Sequence, residues 1–250
     1  MVRLGVLALV SALLALADGA RIRWMPLGDS ITDYGCWRAW VWQRFQQEGH
    51  DVDIVGSQKA GEDCNGLDFD RGHEGHPGFQ AASIAAEGLL VDWLAQNPAN
   101  VVTMHLGTVD ILRGMRTTPD VLAALGTLVD QLRDSNPAMR IIVRRPASGG
   151  VPPLTSQVAQ IIPLPAMDSN VRDLNAAIPA YFARKNSTAS PIWVVDQWTT
   201  FTAADLYDGI HPSASGDVKI ASKFYPALVA AMESIESGLP GAKVDVQDTS

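Results

Sequence analysis

The sequence predicts an α/β fold built on a parallel sheet, and three observations point to it. Stretches that read as strands, the mostly apolar Ile22 to Leu27, Val101 to Leu106, Met139 to Val143 and Pro191 to Asp196 and the alternating Asp51 to Gly56, are interspersed with longer segments of helical spacing. The run Val101-Val102-Thr103-Met104-His105-Leu106 is apolar almost throughout, as expected of a strand covered on both faces. The chain has 250 residues, 47% of them apolar, enough for one domain with a sizeable core.

Taken in order, Ile22 to Leu27 leads into the turn Gly28-Asp29-Ser30-Ile31-Thr32, and a helix over Trp37 to Gln47 follows, with Gly49 as its stop signal. Strand, tight turn and helix put Ser30 at the carboxyl end of a strand, where open α/β sheets build their sites. Trp37, Trp40 and Trp42 lie at spacings that pack a helix on a sheet, and stacking on a sugar is the alternative role. The second strand is followed by a loop rich in Gly and Asp, ending in His73-Glu74-Gly75-His76-Pro77-Gly78-Phe79. His73, Glu74 and His76 invite a metal, yet no closed ligand set appears. One helix is expected from Gln80 to Gln96, ended by Asn97-Pro98. Further helices are predicted from Thr118 through Leu132 to Asn136-Pro137, from Asp168 to Arg184 with Pro179 against its straightness, and from Ser215 to Glu236.

The termini and charge narrow the class. Met1 to Ala20 carries Arg3, an apolar run from Leu4 to Leu16 and the small-x-small sequence Ala15-Leu16-Ala17, which reads as a cleavable secretory signal. Residues 21–236 then form the folded domain, and 237–250 read as a loose tail. A net charge of −8 without a basic run argues against a nucleic-acid or anionic-membrane surface. Cys36 and Cys64 are the only cysteines, and in an oxidising compartment they are expected to pair, pinning the long loop to the helix beyond Ser30, with two separate buried thiols as the alternative. Asn186-Ser187-Thr188 is the one unblocked N-glycosylation sequon.

A serine hydroxyl attacks at neutral pH only with an adjacent base and a group to orient that base. Asp208-Gly209-Ile210-His211-Pro212 supplies both, with the acid three residues before the imidazole so that one turn can hold the pair. Ser30, Asp208 and His211 together resemble the Gly-Asp-Ser and Asp-x-x-His blocks of the SGNH (GDSL-type) hydrolases, over residues 22–236. His73-Glu74-Gly75-His76-Pro77-Gly78 is similar to the second block as written in acetylxylan esterases of carbohydrate esterase family three.

The resemblance implies a three-layer α/β/α sandwich with a five-stranded parallel sheet in flavodoxin-like order, and an acyl-serine mechanism without metal or cofactor. Ser30 would be the nucleophile, His211 the base and Asp208 its orienting acid. The backbone N–H groups of Ser30 and Gly78 would form the oxyanion hole, with Gly75 a weaker candidate. The family's third block is Gly-Thr-Asn-Asp, whereas this chain reads Gly107-Thr108-Val109-Asp110, so valine stands where the asparagine donor belongs. The expected function is a secreted, monomeric carbohydrate esterase acting on acetylated polysaccharide or oligosaccharide such as xylan. The alternatives are a broad GDSL esterase or lipase, and a catalytically impaired carbohydrate-binding relative.

One segment departs from this pattern. Residues 143–157 are turn-rich and interrupt what would be a continuous strand from Ile141 to Ile162. They are either a genuine loop or an unspliced intron, which a peptide containing Pro152-Pro153-Leu154 from the secreted protein decides.

Overall fold

The computed structural model describes residues 21–59, 61, 63–113, 116–143 and 161–237. The signal segment, most of the tail and nearly all of the turn-rich insert therefore lie outside the described residues. β1 (Ile22–Gly28) is followed by α1 (Ser30–Tyr34) and α2 (Trp37–Glu48). β2 (Val52–Ile54) and the short β3 (Glu74–Gly75) come next, then α3 (Ala81–Glu87) and α4 (Leu89–Gln96). β4 (Val101–His105), α5 (Thr108–Leu112), α6 (Thr118–Ser135) and β5 (Arg140–Ile142) form the middle of the chain. α7 (Asp168–Lys185), β6 (Ile192–Trp193) and α8 (Ala214–Glu236) complete it.

The sheet order is β2-β1-β4-β5-β6, every pairing parallel, and β3 adds to β1 beside β2. The five predicted strands thus appear in flavodoxin-like order. The interior strands β1 and β4 are buried on both faces along nearly their whole length, which explains their mostly apolar character, whereas the edge strand β2 alternates, with Asp53 only partly buried. One face packs Trp24, Ile54, Val101 and Ile142 against α2 and α8, where Trp37 and Phe224 meet at 5.1 Å. The other packs Met25, Leu27, Val102 and Ile141 against α3, α4, α6 and α7. Trp37 is fully buried and donates its indole N–H to the Ile31 carbonyl, so packing is its role. On either side of the insert, Ile142 and Ile162 are both buried against the α2 and α8 face.

The fold corrects the sequence reading at several points. The helix expected over Gln80 to Gln96 is two helices, because Gly88 adopts φ 70° and closes α3 before α4 begins. β6 is two residues long instead of six, and α1, β3 and α5 had no counterpart. Among the described residues, no helix is long and apolar enough to cross a membrane.

Candidate active site

The serine turn is made rigid before any partner arrives. Asp29 caps α1, its Oδ1 accepting the Ile31 N–H at 3.0 Å, and Ser30 is the first residue of the helix, so its N–H has no intrahelical acceptor. Gly28 is obligatory here, since a Cβ would collide with the Thr32 hydroxyl and lie 2.9 Å from the His105 carbonyl. At the other end of α1 the buried Arg38 donates to the carbonyls of Thr32 (2.8 Å) and Asp33 (3.0 Å), and also to Arg71 (3.2 Å). Burial lowers its pKa to about 10 against the opposing pull of Asp33.

The loop before α8 delivers the other two side chains. Leu206 and Pro212 form an isolated antiparallel bridge that clasps the turn, and Asp208 Oδ1 accepts the N–H groups of Ile210 (2.9 Å) and His211 (2.7 Å). Asp208 Oδ2 lies 2.7 Å from His211 Nδ1, and His211 Nε2 lies 2.8 Å from Ser30 Oγ. Burial alone would raise the Asp208 pKa, but the His211 N–H, its imidazole and the Ile210 N–H outweigh it and bring it down to about 2. An ionised carboxylate can only accept, so the imidazole carries its proton on Nδ1 and leaves Nε2 to accept from the serine hydroxyl. Asp205 anchors the loop, accepting from Thr202, Ser215 and Lys219, partners that hold its carboxyl well below the usual range despite burial.

The block from His73 to Phe79 is held to the end of β1. Leu27 and Gly28 pair with Glu74 and Gly75, and the His76 N–H donates to the Gly28 carbonyl at 3.0 Å. The buried Glu74 accepts from the Ser57 N–H (2.8 Å) and hydroxyl and reaches His76 Nε2 at 2.6 Å, while the His76 ring stacks on Trp93 at 4.2 Å. The buried His73 accepts from the Gly75 N–H through Nδ1 and faces Asp33 with Nε2 at 3.4 Å. The three side chains considered for a metal are thus engaged within the protein, and no cluster of three or more candidate ligands occurs among the described residues. The Gly75 N–H is spent on His73, whereas Gly78, at φ 77°, has no hydrogen-bond acceptor for its N–H among the described residues.

Valine 109 is buried in α5, whose neighbouring Asp110 is fully buried and accepts the N–H groups of Ala81 (2.8 Å) and Ala82 (3.1 Å). Asp110 thereby ties α5 to the start of α3, just after Gly78. Burial raises the Asp110 pKa against those two donors, and burial raises Asp29 to about 7, with the nearby Asp110 charge adding to it.

Cys36 and Cys64 are bonded, their Cα atoms 5.4 Å apart, which fastens the long loop to the start of α2. Asn186 is exposed, and its Oδ1 accepts the Ile192 N–H. The structure therefore brings Ser30, Asp208 and His211 together and sets Gly78 in the segment that follows the β1–β3 pairing. Sequence reasoning missed Arg38, Asp205 and Asp110 as supports. Asp205 carried a local signal, as the last residue of the capping box Thr202-x-x-Asp205, and Asp110 stood in the Gly107-Thr108-Val109-Asp110 block without its tie to α3 being legible there.

Residues 27–218 match the GDSL-like Lipase/Acylhydrolase family. No curated protein matches the chain. Among solved structures, a carbohydrate esterase family 3 enzyme from Talaromyces cellulolyticus is 30% identical at TM-score 0.75, covering 85% of this chain and 99% of its own. A serine-to-alanine mutant of an acetyl esterase with acetate ion is 29% identical at TM-score 0.75, covering 86% and 99%. A Clostridium thermocellum family 3 carbohydrate esterase, at 24% identity and TM-score 0.67 over 86% and 98%, shares the fold. Sequence match and fold together make this chain a member of the GDSL-like lipase/acylhydrolase family, an esterase of the SGNH hydrolase fold.

Proposed function

We propose that the protein is a secreted serine carbohydrate esterase that removes acetyl groups from xylan or a related plant polysaccharide. The observation that carries this reading is the unbroken line of hydrogen bonds from Asp208 through His211 to Ser30. The Ser30 hydroxyl oxygen attacks the acetyl carbonyl carbon while its proton passes to His211 Nε2. The carbonyl oxygen becomes an oxyanion facing the N–H groups of Ser30 and Gly78. Collapse breaks the bond to the sugar oxygen, which leaves with the proton from His211. Water then adds to the acetyl-serine, gives a proton to His211, and acetate departs as Ser30 is restored.

Carbohydrate as substrate is supported by the similarity to family 3 carbohydrate esterases. It is also supported by Tyr34 and Tyr207, exposed rings whose centroids lie 5.6 and 5.7 Å from that of His211. Exposed aromatic rings beside the His211 imidazole suit the apolar face of a pyranose. The signal segment of residues 1–20, the Cys36–Cys64 bond and the exposed sequon at Asn186 support secretion.

The test is acetate release from acetylated xylan, with p-nitrophenyl acetate and a long-chain p-nitrophenyl ester alongside. Wild type is expected to act on the first two, and Ser30→Ala to act on none while keeping its fold. Preference for the long-chain ester would show a lipase, and a Ser30→Ala variant of near-normal activity would place the nucleophile elsewhere.

A further inference from the structure

The helix that carries Val109 also ends in a cation. Arg113 follows four residues later at the cap of α5, its backbone N–H donating to the Val109 carbonyl at 3.1 Å, so both side chains lie on one helix face a turn apart. A Cβ built on Gly78 would come within 3.4 Å of Arg113 Nη2, so the guanidinium borders the backbone whose N–H is the second oxyanion donor. Arg21, Arg44 and Arg172 each pair with a carboxylate. Arg113 has no ion pair among the described residues, although the chain carries a net charge of −8.

We propose that Arg113 supplies, as a charge, part of the oxyanion stabilisation that an asparagine amide at position 109 would supply as a hydrogen bond; this rests on the esterase reading of the Ser30 site. A hydrogen-bond donor must be aligned and in contact, but a full positive charge acts over several ångströms and needs no alignment. It favours the tetrahedral oxyanion over the neutral ester, because charge develops only in the transition state, so its effect belongs in kcat. A solvent-exposed charge is also screened by salt, which an asparagine donor is not.

The experiment uses p-nitrophenyl acetate, a substrate without a carboxylate, on the full secreted chain. Arg113→Gln is expected to lower kcat by ~10–100-fold with KM nearly unchanged, and Arg113→Lys to keep most of the activity. Raising ionic strength should lower kcat of wild type and leave Arg113→Gln flat. Val109→Asn should restore more activity in the Arg113→Gln background than it adds to wild type. A small boronic acid, whose serine adduct is a tetrahedral anion, should bind Arg113→Gln more weakly by a similar factor. An unchanged kcat and boronate affinity in Arg113→Gln would overturn the proposal. So would a loss confined to KM on uronate-bearing acetylated oligosaccharides, which would make Arg113 a binder of substrate carboxylate. If Ser30→Ala is inactive while Arg113→Gln is normal, only this inference falls; if Ser30→Ala remains active, the esterase reading falls with it.

Discussion

Arg38, fully buried, donates its Nε–H to the carbonyl of Thr32, so a charged side chain from one helix closes the end of the short helix that Ser30 begins. Removing it would leave the carbonyls of Thr32, Asp33 and Arg71 unpaired, two of these bonds lying in the interior. Arg38→Met is therefore expected to cost at least ~3 kcal/mol of stability, read by denaturant unfolding. A midpoint equal to that of wild type would mean that water or a neighbour replaces the guanidinium without loss.

Val109 offers the oxyanion no donor; a missing side-chain donor lowers kcat by ~10²–10³, and the ~10–100-fold ascribed to the Arg113 charge offsets only part of that. Acetyl ester turnover slower than that of asparagine-bearing relatives is expected. Val109→Asn, close in size, should raise kcat more than it changes KM. Wild-type turnover already at the level of those relatives, with no gain on substitution, would mean that the hole is complete without this side chain.

Asp29 makes stability fall as pH rises towards neutrality. Its folded pKa of about 7 stands above the ordinary 3.8, so between those values the unfolded chain has released a proton that the folded chain still holds. The contribution is full below about pH 4 and is lost as pH rises through about 7, a difference on the order of 4 kcal/mol. Asp205 and Asp208, with depressed values, act in the opposite sense, losing their contribution only as pH falls below the ordinary carboxylate range. Asp29→Asn should flatten the decline between pH 4 and 7 in thermal melts; an unaltered slope would show that Asp29 ionises normally.

Tyr207 lies almost parallel to His211, with 19° between the rings, and is 63% exposed. Tyr207→Ala is expected to raise KM for acetylated xylo-oligosaccharides by up to ~10-fold. For p-nitrophenyl acetate, which has no sugar to stack, kcat/KM should change little. Equal losses on both substrates would instead mean that Tyr207 merely holds the imidazole.

The Cys36–Cys64 bond closes a loop between residues 28 apart in sequence. Its removal in a Cys36→Ser/Cys64→Ser double variant should cost ~3.5 kcal/mol on the chain-entropy account. Comparing thermal midpoints of the two proteins measures it, and equal midpoints would contradict the expectation.

Much of the fold was legible because parallel strands covered on both faces are apolar along most of their length, as Val101 to Met104 are apart from Thr103, whose hydroxyl accepts the Trp24 indole N–H. The Ser30 turn and the Asp208–His211 turn were legible for a different reason. Each is a local motif whose spacing is set by its own backbone. What escaped notice is non-local. β3 is two residues long and polar, and it is a strand only because Gly28 and Leu27 offer it hydrogen bonds and Ser57 satisfies Glu74. Arg38 reads as one more surface charge until the carbonyls of Thr32 and Asp33 are seen around it. Gly88 did carry a signal, but a glycine within a helical pattern is tolerated often enough that its left-handed conformation shows only in the structure.

The edge of β1 is shared, since β2 occupies it from Ile22 to Trp24 and β3 takes it up again at Leu27. Everything between is an excursion that departs from and returns to a single strand. The Gln58–His73 bridge clips its neck, and the cystine tethers its middle. Its length is consequently decoupled from the position of Gly78, whose placement depends on the returning end alone. The outer part of this excursion can grow, shrink or change chemistry at small entropic cost, because loop closure depends only weakly on length. This is the place where enzymes of this architecture can diverge in sequence while the Ser30 end of the sheet stays as it is.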